Sequence, residues 1–288
     1  PIGYDEEEQS KRLESEDVVV PLRILAKKFE MEFTPNQCFA QALHLYSIIP
    51  DFIKREKPEN YPFDIVAAFR KEFTISPEVY IKACLISWDR ARAEPTLNLS
   101  KLIPWVQHIA TIGENECKDF LSNHLSVDKI KFQQTLENLQ DPSFKAVMSK
   151  ISPLYVFPFV RPWREETPEV NDRIIAPIPN LLAYKASQGV YNQLVAKYGT
   201  EFTNGFGYIF EEYVGRLLRS SFGLERVISE SEITAESKKP DFIVIEDDIA
   251  VLVECKAFRY TKPLVTESTD ESLRDSLKKV GKGLTQIQ

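Results

Sequence analysis

Two carboxylates and a lysine near the end of the sequence, Asp241, Glu254 and Lys256, have the types and spacing to hold a divalent cation and direct a water at phosphorus. They lie in PDFIVIEDDIAVLVECKA, residues 240–257, where two apolar runs flank Asp247 and Asp248. That pattern predicts a tight antiparallel hairpin. If those two aspartates form the loop, Glu246 pairs with Ile249, and counting outward places Asp241 opposite Glu254 on one face. Lys256, two positions beyond Glu254, shares that face by the period of a strand. Acidic groups at the end of such apolar strands are costly unless something satisfies them. Mg²⁺ would do so, because it takes hard oxygen ligands, keeps several waters and commonly meets a phosphate at the same time. The expected ligands are Asp241, one oxygen of Glu254 and the backbone carbonyl of Cys255, with Lys256 beside the attacking water. A Glu-x-Lys tripeptide alone commonly decorates a solvent face, so the weight rests on its conjunction with an in-register Asp and apolar strands. Strands apolar on both faces are expected to be covered on both sides.

The elements that must position these groups follow from the pattern upstream and downstream. From about residue 17 to 150, apolar residues return every three or four positions, as in Phe39, Leu43, Tyr46 and in Phe63, Val66, Ala67, Phe69. This is a helical region. Ser76 followed by Pro77 marks a helix start, and a later run, Ile130, Phe132, Leu136, Leu139, ends before Pro142. Between Ser152 and Asn180 the chain carries Pro153, Pro158, Pro162, Pro168, Pro177 and Pro179, which forbid a continuous helix. Three segments are therefore expected: a mainly helical domain over 1–151 for positioning or partner binding, a proline-rich connector over 152–180, and an α/β domain over 181–288. In the last, one helix should end at Gly199 and the next, GFGYIFEEYVGRLLRSSFG, at Gly223. Strands are expected from Glu225 to Ser229, Asp241 to Glu246 and Ile249 to Ala257, then a final helix through Leu273, Leu277, Val280 and Leu284.

Pro240-Asp241, twelve residues, then Glu254-Cys255-Lys256, with a helix before and a helix after, resembles the core of the PD-(D/E)xK nuclease superfamily over about residues 200–288. The resemblance implies a restriction-endonuclease-like α/β core of helix, three-stranded mixed sheet and helix. The family's last strand is apparently missing, so a fragment of a longer protein is the expectation. In the family a glutamate on the first helix often joins the metal site. Taking Phe210, Val214 and Leu217 as the buried stripe, Glu211 lies at its margin and Glu212 on the solvent side, which favours Glu211. Gln286, with Gln288 behind it, is the nearest match to a glutamine the family often carries on its last helix. What is implied is a Mg²⁺-dependent phosphodiesterase, with Mn²⁺ able to substitute, acting on nucleic acid. DNA is favoured over RNA and an endonuclease over an exonuclease. The alternative is an inactive nuclease-fold module that binds nucleic acid or protein. A helical region joined to such a nuclease is built like bacterial restriction and phage-defence effectors, an analogy of architecture. Subunits that pair to cut both strands fit the same reading.

Composition narrows the field. With 288 residues and 43% hydrophobic side chains the chain can bury one large core or two ordinary ones. No stretch reaches the apolar length of a membrane span, and the acidic start is unlike a secretory leader, so a cytoplasmic protein is expected. Cys38, Cys84, Cys117 and Cys255 show no CxxC pair and no nearby histidine, which disfavours a zinc site or a disulfide framework. His44, His108 and His124 are isolated, and Trp88, Trp105 and Trp163 read as packing residues. A net charge of −7 argues against broad electrostatic attraction to nucleic acid, so such contact must be local or helped by a partner. Lys238, Lys239, Arg259 and Lys262 flank the motif, and Lys278, Lys279 and Lys282 cluster near the end; solvated loop and helix charges explain them as well as phosphate contacts do.

Overall fold

The computed structural model describes residues 34–139, 152–162, 172–234 and 239–257, and those from residue 35 onward group into one compact unit. The expected final helix, Gln286, Gln288, Lys238, Arg259, Lys262, the cluster around Lys278 and Trp163 lie outside these residues. The helical half runs through α1 (Pro35–Leu43), a π-helical turn (His44–Ile48), α2 (Ile49–Glu56), α3 (Ile65–Phe73) and α4 (Pro77–Ala93). Strand β1 (Thr96–Asn98), α5 (Leu99–Ala110), α6 (Glu114–Asp119), β2 (Ser126–Val127) and α7 (Lys129–Leu139) follow. The start of α4 is the one its sequence predicts: Ser76 Oγ accepts from Val79 N at 3.3 Å and Pro77 occupies the first turn, where its missing amide costs nothing. Asp64 caps α3 in the same way, accepting from Ala67 N at 2.9 Å. The helices close on a nest of fully buried aromatics in which Tyr80 meets Phe69 at 5.2 Å and Phe120 at 5.0 Å, both edge-on. Each such ring contributes on the order of 2 kcal/mol by leaving water. Among the histidines, His124 stacks on Phe120 and His44 sits beside Tyr213 with its Nδ1 buried and unpartnered.

The proline-rich interval does not act as a tether where it is described. It supplies β3 (Phe159–Val160) and β4 (Arg173–Ile175), which join β1 and β2 in a four-stranded sheet of order β1-β4-β3-β2. Phe159 and Ile174 are fully buried in the helical core, so the segment is held by its apolar residues. The chain then enters α8 (Leu181–Tyr184), a second π-helical turn (Lys185–Gly189) and α9 (Val190–Phe222). The break expected at Gly199 is present: its φ of 56° and ψ of −130° interrupt α9 at a conformation that glycine adopts without strain. No helix among the described residues is long and apolar enough to cross a membrane.

Helix α9 belongs to both halves. Phe202, Phe206 and Ile209 are buried in the helical core, while Val214 and Leu218 pack on a separate small cluster of Val227, Phe242 and Val244. The expected stripe of Phe210, Val214 and Leu217 is therefore corrected, since Leu217 is 49% exposed. One wheel cannot describe a helix that changes partners midway. The small cluster is the inner face of a three-stranded sheet, β5 (Val227–Ser229), β6 (Phe242–Glu246) and β7 (Ile249–Val253), in the order β5-β6-β7. Both pairings are antiparallel, not mixed; for β6 and β7, joined by a two-residue turn, no other direction is open. Among the described residues cover on both sides is also not found. Edge strand β7 leaves Ile249 65%, Val251 50% and Leu252 47% exposed.

The helical half and α9 touch at Gly205, where an added Cβ would stand 2.7 Å from Phe63 Cβ. Gly205→Ala is thus expected to lower stability by ~1–3 kcal/mol through overpacking, despite alanine's better helix propensity. Urea denaturation should show this as one cooperative transition with a lower midpoint. An unchanged midpoint would contradict this packing.

Candidate active site

The turn at Asp247 and Asp248 sets the site. Asp247 has a φ of 51°, which a two-residue hairpin loop requires and aspartate tolerates. Pairing begins at Glu246 with Ile249 and runs to Phe242 with Val253, so one further step brings Asp241 opposite Glu254, as the sequence predicts. Just past the ladder the two strands stay in contact: Cys255 N donates to Asp241 Oδ2. Lys256 lies on the same side and its Nζ is drawn onto Glu254 Oε1.

The other edge of β6 carries a residue that sequence reasoning missed. Ser229 pairs with Phe242, and Glu230 N donates to the Asp241 carbonyl at 2.9 Å. Glu230, Asp241 and Glu254 therefore form a row across the sheet, with Asp241 in the middle. The signal was present in the sequence only as one more acid after a short strand. Locating it required the register of β5, which no turn residue announces.

Helix α9 crosses this row with Tyr208, Glu211, Gly215 and Arg219, spaced to share one face. Gly215 permits the approach, because a Cβ there would lie 2.7 Å from the ring tip of Phe242. Glu211 faces the sheet acids as expected. Glu212, expected on the solvent side, is instead 10% exposed and bonds Lys57 and Arg216, each at 3.0 Å. It ties α9 to the helical half through Lys57, as Tyr198 does through Glu72. A cleft of about 130 Å³ opens between these parts, and its lining includes Lys57, Asn60, Tyr208, Glu211, Arg219 and Glu230.

The electrostatics show the strain of gathering these acids. The Glu211 carboxyl is pushed up to about 7, first by burial, then by Asp241 and Glu230, with Lys57 opposing. Asp241 is raised as well, again by burial first and then by Glu254 and Glu230, against the Cys255 amide and Lys256. Burial and the same acids push the Cys255 thiol up to about 12, which removes it as a thiolate nucleophile.

Among the described residues no three His, Cys, Asp or Glu side chains close into a metal-holding group. The reason lies in the internal partners: Asp241 engages an amide and Glu254 engages Lys256. The donor chemistry nonetheless suits a hard cation, since Glu211 and Asp241 offer carboxylate oxygens whose mutual repulsion a divalent ion would relieve. Closing the set needs Glu254 to turn from Lys256. Asp241, Glu211 and Glu254 are the side chains that would then hold it.

Because the folded state keeps a proton on Glu211 that the unfolded chain releases, its contribution is complete below the ordinary carboxyl value of 4.5 and is lost as pH rises to about 7. Glu211→Gln should remove that decline, worth on the order of 1 kcal/mol at pH 8 given the site's partial exposure. Thermal denaturation of both proteins between pH 4.5 and 8 checks it; curves that stay parallel would contradict the coupling. No family model, curated protein or solved structure matches the chain.

Proposed function

We propose that this protein is a metal-dependent nuclease that hydrolyses phosphodiester bonds, with DNA as the preferred substrate and Mg²⁺, replaceable by Mn²⁺, as the cofactor. The observation that carries the reading is the hairpin register, which gathers Asp241, Glu254 and Lys256 at one end of a sheet crossed by a helix bearing Glu211. When bound, the cation would polarise the phosphate and acidify a water. The protein's own groups do the rest. Lys256, 45% exposed, can leave Glu254 to orient the attacking water and offset charge as the bridging oxygen departs. Glu211, which burial and its acidic neighbours keep protonated without a cation, would release that proton on joining Asp241 around the ion. The half-buried position of Asp241 strengthens each of these interactions relative to open water. Internal cutting and a cytoplasmic role in defence belong to the same proposal.

One observation favours a second reading, a nuclease-fold module that binds without cutting: both strand carboxylates already have partners within the hairpin. Activity separates the two. With the full chain in Mg²⁺, cleavage of plasmid or linear DNA should fall at least ~100-fold in Lys256→Ala, while stability stays within about 0.5 kcal/mol because the side chain is largely exposed. Equal cleavage by wild type and variant would remove the mechanism. No cleavage by wild type, with Mg²⁺ still raising its melting temperature through Asp241, would favour the binding module.

A further inference from the structure

The cleft beside Glu211 is walled on one side by residues that the sequence places far from the motif. Lys57 and Asn60 come from the turn after α2, and they face Tyr208, Arg219 and Glu230 across the opening. Lys57 acts on the Glu211 carboxyl through space, so the two are electrostatic neighbours. Glu212 binds both Lys57 and Arg216, so Lys57 shares its carboxylate partner with a second cation. Arg219 lies over the Phe242 ring and has no carboxylate paired with it among the described residues. Tyr208 is 44% exposed. It stands one helical turn before Glu211, so an aromatic face lines the approach to the acids.

Resting on the nuclease reading above, we propose that this cleft receives a single nucleic-acid strand, its base stacked on Tyr208 and its backbone phosphate held by Lys57 and Arg219. An aromatic face with cations beside it is the arrangement that binds unpaired bases without reading sequence. A base inside a duplex is stacked on both sides and cannot offer its face unless it is flipped out. Stacking also answers the charge problem. A chain of net charge −7 gains little from long-range attraction, so affinity must come from local contacts. The helical half thus supplies part of the substrate site and is not only a partner-binding appendage.

The test uses the full chain carrying Lys256→Ala, so that ligand is not consumed, with Mg²⁺ present. Fluorescence anisotropy is measured with labelled single-stranded DNA, single-stranded RNA and a blunt DNA duplex. Single strands should bind at least about tenfold tighter than the duplex. Adding Tyr208→Ala should weaken strand binding roughly 5- to 150-fold, whereas Tyr208→Phe should retain it. With one phosphate neutralised the slope of log K against log salt should be about −0.7, and replacing both Lys57 and Arg219 with Ala should bring it close to zero. Equal affinity for duplex and strand, or strand binding indifferent to Tyr208→Ala in a variant with wild-type melting temperature, would overturn the inference. Cleavage by the protein with Lys256 intact is scored separately: its loss with stacking preserved counts against the nuclease reading alone, and absence of all binding counts against both.

Discussion

A single constraint organises the site: the hairpin can close in only one register. Asp247 in the left-handed region makes the turn two residues long, and from that point each pair is fixed outward to Phe242 and Val253, next to Asp241 and Glu254. A slip of one residue would send Asp241 to the opposite face and bury the wrong side of β6. Phe242 and Val244, both 3% exposed against α9, lock the strand against such a slip. The packing of two apolar side chains is therefore what keeps charged groups together at the strand's end.

The helix above the hairpin links this local geometry to the rest of the chain. Its first part is anchored in the helical core through Phe202 and Phe206, and its second part lies on the sheet, with Gly215 allowing Phe242 beneath it. Glu211 is carried over the acid row by an element fixed at both ends. The largely covered Glu212 carboxylate reaches the other way, to Lys57, and so ties the wall of the cleft to the same helix. Half-burial of Glu211 and Asp241 raises the cost of their charges, and that cost is the physical ground for expecting a cation among them.

The hairpin and its facing groups were legible in the sequence because strand alternation and a two-residue turn are local signals. The capping of α4 by Ser76 and the break at Gly199 were legible for the same reason. Glu230 was not, since its place depends on how β5 pairs across a separate loop. The burial of Glu212 was not, because its partner Lys57 is distant in sequence and a helical wheel assumes one partner throughout. The proline-rich interval misled in another way: prolines exclude a helix but say nothing against short strands such as β3 and β4 completing a sheet. The open faces of β7 show the converse, that an apolar run does not guarantee a covering layer among the described residues.

The account turns on whether a cation gathers these acids. Crystals of the full chain soaked in Mn²⁺ and measured at the manganese absorption edge would locate the ion directly. One anomalous peak in coordination contact with Asp241 and Glu211, with Glu254 turned away from Lys256, is the expected result. A peak elsewhere, or none at the hairpin's end, would contradict it.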